Sequence, residues 1–336
     1  MRALVVQTMR IPLSLALLLA VGLLVSSCLD PGPNRPPVAE ISVAPPAGYV
    51  PLLAAFDASG SADPDGRVVS YEWSFGDGKA ARGETTSHSY VEAGTYTVSL
   101  RVVDNRGGED TTTVQVIALT VPAGQLVRHY HWEHRGEAES LEVLLPENLY
   151  RTYDGRTRQP LVDNYNYDLY VLDPLDDPTL EDLARLIARQ AGQGDEAFSE
   201  CALAFVQGAI RYAADPPGIE YPLYPLETLV EGQGDCEDTT ILYVSLIRAL
   251  SRPVSMAFVD TNDDDLPDHV LALVPVSSTY PGSAACPSGM SKRFWTIDGT
   301  LYALAETTAA AGSTYVPLGC DPWGLEQTDI KKKWDF

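Results

Sequence analysis

From Pro36 to about Ala118 the chain alternates between apolar and polar residues. In TYTVSLRV, Tyr96, Val98, Leu100 and Val102 fall on one side, and Thr97, Ser99 and Arg101 on the other. A period of two fits a pleated strand with one buried face and fits no helix. SYEWSF repeats the pattern and sets Tyr71, Trp73 and Phe75 inward. Turn-forming clusters separate the strands: DPDG (Asp63 to Gly66), GDG (Gly76 to Gly78) and DNRGG (Asp104 to Gly108). Short strands at such spacing predict an all-β sandwich of immunoglobulin type over residues 36–118.

After the linker VPAGQ the composition changes, and a second domain of mixed α+β class is expected over 125–336. HYHWEHRGEAESLEVLLPENLYRTY reads as strands leading into a helix or loop. DPTLEDLARLIARQAG and EAFSECALAFVQGAIRYAADP read as helices. In the latter, Phe198, Ala202, Phe205 and Ala209 recur at helical spacing, which core packing explains. His129 and His131 would share one face of a strand and His134 the other, a poor arrangement for a metal.

The stretch EGQGDCEDTTILYVSL places one cysteine among acids. Gly232 and Gly234 interrupt the preceding structure, and Asp235 is a favourable N-cap, so a helix is predicted to begin at Cys236. Leu242, Leu246 and Leu250 form its apolar stripe. At a helix start the free N–H groups and the dipole favour an anion and lower a thiol's pKa. Successive helical side chains turn by about 100°, so Asp235 and Asp238 are expected to cap the helix, with the acids pointing away from the sulfur. His269 opens HVLALVPV, a run suited to a buried strand, and there it can face a cleft. An imidazolium beside the sulfur would stabilise the thiolate.

Composition narrows the function further. A formal net charge of -23 makes nucleic acid a poor partner, and neither a Gly-rich phosphate loop nor a basic aromatic patch is present. The first residues read as a secretory signal: Arg2 and Arg10 precede the apolar run Ile11 to Val25, which is shorter than the roughly 20 residues of a membrane-spanning helix. An uncleaved anchor is the alternative, and either way the bulk of the chain lies outside the cytoplasm. LDPGPNRPP then reads as a Pro-rich tether covering about 28–35. An oxidising compartment permits disulfides, and Cys286 and Cys320, both in loop-like sequence, are the favoured pair. Cys201 reads as a small buried hydrophobe. Zinc is not expected, because no Cys or His pair has ligand spacing.

DTNDDDLPDH puts Asp260, Asn262, Asp264 and Asp268 at the oxygen-ligand spacing of a calcium loop, with the Leu266 carbonyl available. Asp265 stands where such a loop has glycine and no Glu closes it, so a solvated acidic turn competes with this reading. No cofactor is otherwise required.

Three resemblances sharpen these expectations. VSSC, Val25 to Cys28, resembles the lipobox of bacterial lipoproteins, which implies cleavage after residue 27 and a lipid on Cys28 that anchors the protein to a membrane. SGSADPDGRVVSYEWSFGDG, with HSYVEAGTYTVSLRVVDNRGG, resembles a PKD domain, which implies an extracellular spacer or a module binding protein or polysaccharide. YPLYPLETLVEGQGDCEDTTILYVSLIRAL, then DHVLALV, then LYALAETT, resembles the bacterial and archaeal transglutaminase-like family with its papain-like core. That resemblance spans roughly residues 125–320. It implies Cys236 as nucleophile, His269 as general base and acid, and an acid that orients the imidazole. The acid is Glu306, with Asp298 its rival: a strand 300–306 beside the histidine strand favours Glu306, a simple meander favours Asp298. Papain-like enzymes have a Gln a few residues before the nucleophile. Val230 stands there in this chain and Gln233 is too close, so the second oxyanion donor is open. The expected chemistry is acyl transfer at amide bonds of a protein, peptide or cell-wall substrate, with hydrolysis ahead of transamidation. The non-enzymatic alternative is a tethered adhesion or scaffold lipoprotein.

Overall fold

The computed structural model describes residues 32–156, 167–215, 221–262, 264, 267–280, 282, 285–308 and 315–336. The signal segment 1–27 and Cys28 lie outside the described residues, as do Asp265 and Leu266. The chain divides into two compact units between Thr120 and Val121. Among the described residues no helix is long and apolar enough to cross a membrane.

The first unit is a β-sandwich. One sheet has three strands, Leu52–Asp57 between Ser42–Ala44 and Thr85–Tyr90. The other has five, in the order Ala47–Tyr49, Glu109–Leu119, Gly94–Asp104, Val68–Ser74 and Ala80–Arg82. The alternation seen in the sequence sets the core. Val98, Leu100 and Val102 from strand Gly94–Asp104 meet Leu52, Ala54 and Phe56 from the opposite sheet, and Trp73 and Phe75 fill the space between them. Their two polar neighbours are satisfied: Trp73 Nε1 donates to the Gly83 carbonyl at 2.8 Å, and Tyr90 Oη donates to the Phe75 carbonyl at 3.1 Å. The turn after Phe75 needs glycine, because Gly76 has φ 81° and a Cβ there would lie 2.8 Å from the Thr97 carbonyl oxygen.

The second unit packs helices on a five-stranded antiparallel sheet. Its order is Phe294–Ile297, Thr300–Ala305, His269–Pro275, Ser255–Val259, Ile330–Asp335. The helices are Glu147–Asp154, Asp168–Val171, Asp177–Ala191, Asp195–Ala209, Pro225–Glu231 and Cys236–Ala249, and a hairpin of Gln125–His134 with Glu137–Pro146 joins them. Helix Cys236–Ala249 is buried on every side from Glu237 to Ile247, so its buried surface extends well beyond the Leu242–Leu246 stripe and takes in polar residues of its first turn. Cys201 is buried in this core, and burial pushes its thiol up to about 12. Cys286 and Cys320 form a disulfide, with Cys320 in a short strand that pairs with Ser291–Lys292.

One expected helix is shorter than its sequence suggests. The run through AIRYAAD ends its helix at Ala209, because Ile210 turns to extended backbone. Arg211–Tyr212 then forms a parallel bridge with Gln233–Gly234. Long-range backbone pairing outweighs local helical propensity here.

Candidate active site

The loop before Cys236 is built for a sharp entry into the helix. Gly232 closes the preceding helix in the left-handed conformation at φ 65°. Gly234 has no room for a side chain, since a Cβ there would lie 2.6 Å from Asp238 Cβ. Asp235 is the N-cap and Cys236 the first helical residue. Asp238 closes the capping box by accepting from the Asp235 N–H at 3.3 Å, and its other oxygen accepts from the Leu223 N–H at 2.6 Å. Asp235 and Asp238 thus cap the helix, as their positions in the sequence imply.

Glu237 departs from that expectation. It is buried, and the Cys236 thiol donates to its Oε2 at 3.3 Å. Burial, and then the Glu237 and Asp235 carboxylates, push the thiol pKa far above its usual range, against a lowering contribution from the Val270 N–H. The helix dipole was expected to lower this pKa. Dehydration and two nearby carboxylates outweigh it, since a dipole acts through fractional charge at greater distance.

Three hydroxyls hold the first turn of the cysteine helix against the sheet. Thr307 Oγ1 bonds Thr239 Oγ1 at 3.0 Å and Thr240 Oγ1 at 2.7 Å, and Thr240 also donates to the Val270 carbonyl at 3.3 Å. These contacts tie Cys236 to the residues directly after Glu306 and after His269. Their burial makes each bond costly to break.

His269 opens its strand, and its Nε2 lies 2.7 Å from Glu306 Oε2. Strand Thr300–Ala305 pairs with the histidine strand, Ala305 opposite Ala272, and this register brings Glu306 to the imidazole. Strand Phe294–Ile297 lies outside it. Asp298 instead sits in the exposed turn joining those two outer strands, at φ 50° with Gly299 following at φ 82°. Dehydration alone would lower the His269 pKa, but the charge and hydrogen bond of Glu306, with Asp268 adding, raise it above its ordinary value. For Glu306, burial raises the pKa, while His269 and the Thr308 donors win and lower it.

The Glu306 carboxylate is fully engaged. Its Oε1 accepts from the Thr308 N–H at 2.9 Å and from the Thr308 hydroxyl. Its Oε2 accepts from Trp323 Nε1 at 3.1 Å besides facing His269. The Trp323 ring centre lies 5.3 Å from that of His269. Gln207 fixes the backbone below: its Nε2 donates to the carbonyls of Glu306 at 2.5 Å and Val316 at 3.0 Å, and its Oε1 accepts from the Val316 N–H at 2.9 Å.

Cys236, His269 and Glu306 line one cavity of about 270 Å³. Tyr212, Met290, Thr308, Val316, Pro322 and Trp323 complete its wall, which is largely apolar. Trp323, Thr307, Thr308, Gln207, Tyr212 and Met290 were not singled out in the sequence. For Trp323 a signal existed in LGCDPWG, because pairing Cys320 with Cys286 fixes the segment that carries it.

The other candidate residues lie elsewhere. His129 and His131 are exposed on the hairpin and His134 is buried on its opposite face. In the 260–268 loop, Asp260 accepts from the Asn262 N–H at 3.1 Å and pairs with Lys331 Nζ at 3.5 Å. Asn262 accepts from the Asp264 N–H at 3.0 Å, and Asp268 accepts from the Thr261 N–H at 2.8 Å and from its hydroxyl. Donors of the protein itself therefore already occupy much of this loop's oxygen set. Among the described residues, Asp215, Asp235 and Glu237 form the group whose oxygens, all within 4.8 Å of one another, have the spacing to hold a cation.

Residues 34–119 match the PKD domain family. This segment is a PKD domain. Collagenase ColQ1 of Bacillus cereus is 39% identical over 95 residues, covering 27% of this chain and 10% of that protein. Pre-pro-metalloprotease PrtV of Vibrio cholerae is 38% identical over 84 residues, covering 24% of this chain and 9% of its own. The chain thus spans about a tenth of the length of these curated relatives. The solved PKD1 domain of Vibrio anguillarum Epp is 36% identical at a TM-score of 0.24, covering 26% of this chain and 99% of that one. A Cytophaga hutchinsonii structure described as a candidate cysteine protease covers 90% of this chain and 76% of its own. It is 13% identical, with a TM-score of 0.28.

Proposed function

We propose that the second unit is a thiol enzyme that cleaves or transfers acyl groups at amide bonds, with the PKD domain as its spacer. Cys236 is the nucleophile, His269 the general base and then acid, and Glu306 the group that orients the imidazole. The observation that carries this reading is the 2.7 Å pair of His269 and Glu306, facing the same cavity as a cysteine at a helix start. With Glu306 on Nε2, the ring's Nδ1 is left to serve the thiol.

In the forward step His269 takes the thiol proton, sulfur adds to the carbonyl carbon, and the leaving amine departs with the proton that His269 returns. Water then releases the acyl group, or a second amine accepts it. The apolar wall of Met290, Val316, Pro322 and Trp323 favours an uncharged, hydrophobic group next to the scissile bond.

A scaffold reading has one observation in its favour. The thiol bonded to Glu237 is a poor nucleophile as it stands, as suits a protein that keeps the fold without turnover. The discriminating experiment is a screen of the full chain and its Cys236→Ala variant against peptide amides and peptidoglycan fragments. Turnover lost in a folded Cys236→Ala variant supports the enzyme, and turnover retained at the wild-type level rejects it.

We also propose export and a lipid anchor at Cys28, which places the enzyme at the cell envelope with its disulfide in an oxidising compartment.

A further inference from the structure

A helix that runs through a hydrophobic core carries long polar side chains at a cost unless each of them is bonded. Helix Asp195–Ala209 carries three on one face. At about 100° per residue, Glu196, Glu200 and Gln207 lie within about 40° of one another around its axis. Cys201, Leu203, Phe205 and Val206 of the same helix are fully buried, and Glu200 and Gln207 are buried with them. None of the three polar residues lines the cavity of Cys236.

What this stripe holds is the chain that frames the active site. Glu196 Oε1 accepts from the Ser277 N–H at 3.1 Å, and Glu200 Oε1 accepts from the Tyr280 hydroxyl, both just past the histidine strand. Arg135 of the hairpin balances the Glu200 charge at 2.8 Å. The Glu200 carbonyl accepts from the Tyr315 hydroxyl at 3.3 Å. One residue on, Gln207 pairs with Val316 as a neighbouring strand would. Its Nε2 donates to the Val316 carbonyl at 3.0 Å and its Oε1 accepts from the Val316 N–H at 2.9 Å. The same Nε2 donates to the Glu306 carbonyl, so both N–H groups of the amide are engaged. One buried side chain thus joins the backbone of the triad's acid to that of Val316, a residue of the apolar wall.

We propose that Gln207 is the positioning residue for acyl-group specificity, an assignment that rests on the acyl-transfer reading above. By fixing Val316 against the Glu306 backbone, it sets the wall that receives the acyl part of the substrate, and that part is hydrophobic. Gln207 acts through Val316 and does not touch the substrate. The chemistry of Cys236 and His269 is common to every acyl chain, whereas the wall distinguishes among them. Each CH₂ buried against it is worth about fourfold in kcat/KM.

Two esters separate wall from chemistry. With p-nitrophenyl acetate and p-nitrophenyl butyrate alike, sulfur adds to the ester carbonyl, the thiol proton passes to His269 and nitrophenolate leaves; only the acyl chain differs. Acylation is measured on the full chain, with Cys236→Ala as background, and read as the ratio of butyrate to acetate in kcat/KM. That ratio cancels any loss in the chemistry common to both. Wild type should favour butyrate by about tenfold. Gln207→Met, close in length but without the amide, should bring the ratio to about twofold or less, with folding checked by circular dichroism. Val316→Ala leaves the backbone bonds in place and should lower the ratio to about threefold. A ratio near the wild-type value in folded Gln207→Met overturns the assignment, even where both rates fall, because a residue that only stabilises the fold would leave the ratio alone. An unchanged ratio in Val316→Ala overturns it too, whether or not Gln207→Met folds, as does a wild type without a preference for butyrate. A wild-type Cys236 that iodoacetamide alkylates but neither ester acylates overturns the acyl-transfer reading together with it.

Discussion

Glu237→Gln probes most directly why the Cys236 thiol is held protonated. Sulfur and carboxylate oxygen are 3.3 Å apart. Two unit charges at that distance repel by about 5 kcal/mol at an effective dielectric of about 20. Not all of this is recovered on substitution, because the amide oxygen still accepts from the thiol and the pocket relaxes. A quarter of it, about 1.3 kcal/mol, already corresponds to nearly tenfold more thiolate at neutral pH. The sign follows from the charge: removing an anion beside sulfur favours the thiolate, so its pKa falls and alkylation quickens. The assay is iodoacetamide labelling of native protein across pH 6 to 10, followed by peptide mass analysis. We expect Cys236 in the variant to label about tenfold faster or more at pH 7. Cys201 should stay unlabelled in both proteins, being fully buried. An unchanged or slower rate in a folded variant would refute the claim that Glu237 restrains the thiol.

Glu306→Gln should lower kcat/KM on any turned-over substrate by about 10² or more, because the imidazole loses the partner that fixes its tautomer; Asp298→Asn should leave it unchanged. The reverse outcome would move the third role to the turn residue. The His269–Glu306 pair should also mark stability with pH. The lowered Glu306 pKa contributes above about 4.5 and is lost as pH falls through its folded value; the raised His269 pKa contributes below about 6.5 and is lost as pH rises through its own. Denaturant titrations should therefore show the largest gap between wild type and Glu306→Gln near pH 5.5, and a gap that widens toward pH 9 would contradict the pairing. Cys28→Ser should leave the protein soluble or held by its uncleaved leader, and normal lipid labelling of that variant would rule out Cys28 as the anchor.

The first unit was legible because its information is local. A strand period of two, read from Tyr96 to Val102, states which side is buried before any partner strand is known. The start of the cysteine helix was equally legible, since Gly234, Asp235 and Asp238 are neighbours in sequence. The contact of Glu237 with the thiol is not legible in the sequence, because the 100° rule describes where Cβ atoms point, and a long side chain in the first turn can curl back to the preceding residue. Tyr212, Gln207 and Trp323 come from segments far from Cys236 in sequence, and only the parallel bridge, the buried amide and the disulfide bring them near. Nothing in the local pattern of AIRYAAD warns that its helix stops at Ala209, because its partner strand is supplied by the loop before Cys236.

The central claim is that Cys236 carries the acyl group with His269 as its base. The most direct measurement is peptide mass analysis of the full chain quenched during reaction with p-nitrophenyl acetate, in wild type and His269→Ala. An acetyl thioester is expected on Cys236 in wild type, formed much more slowly in His269→Ala. An adduct absent from Cys236, or one that forms at the same rate without His269, would contradict it.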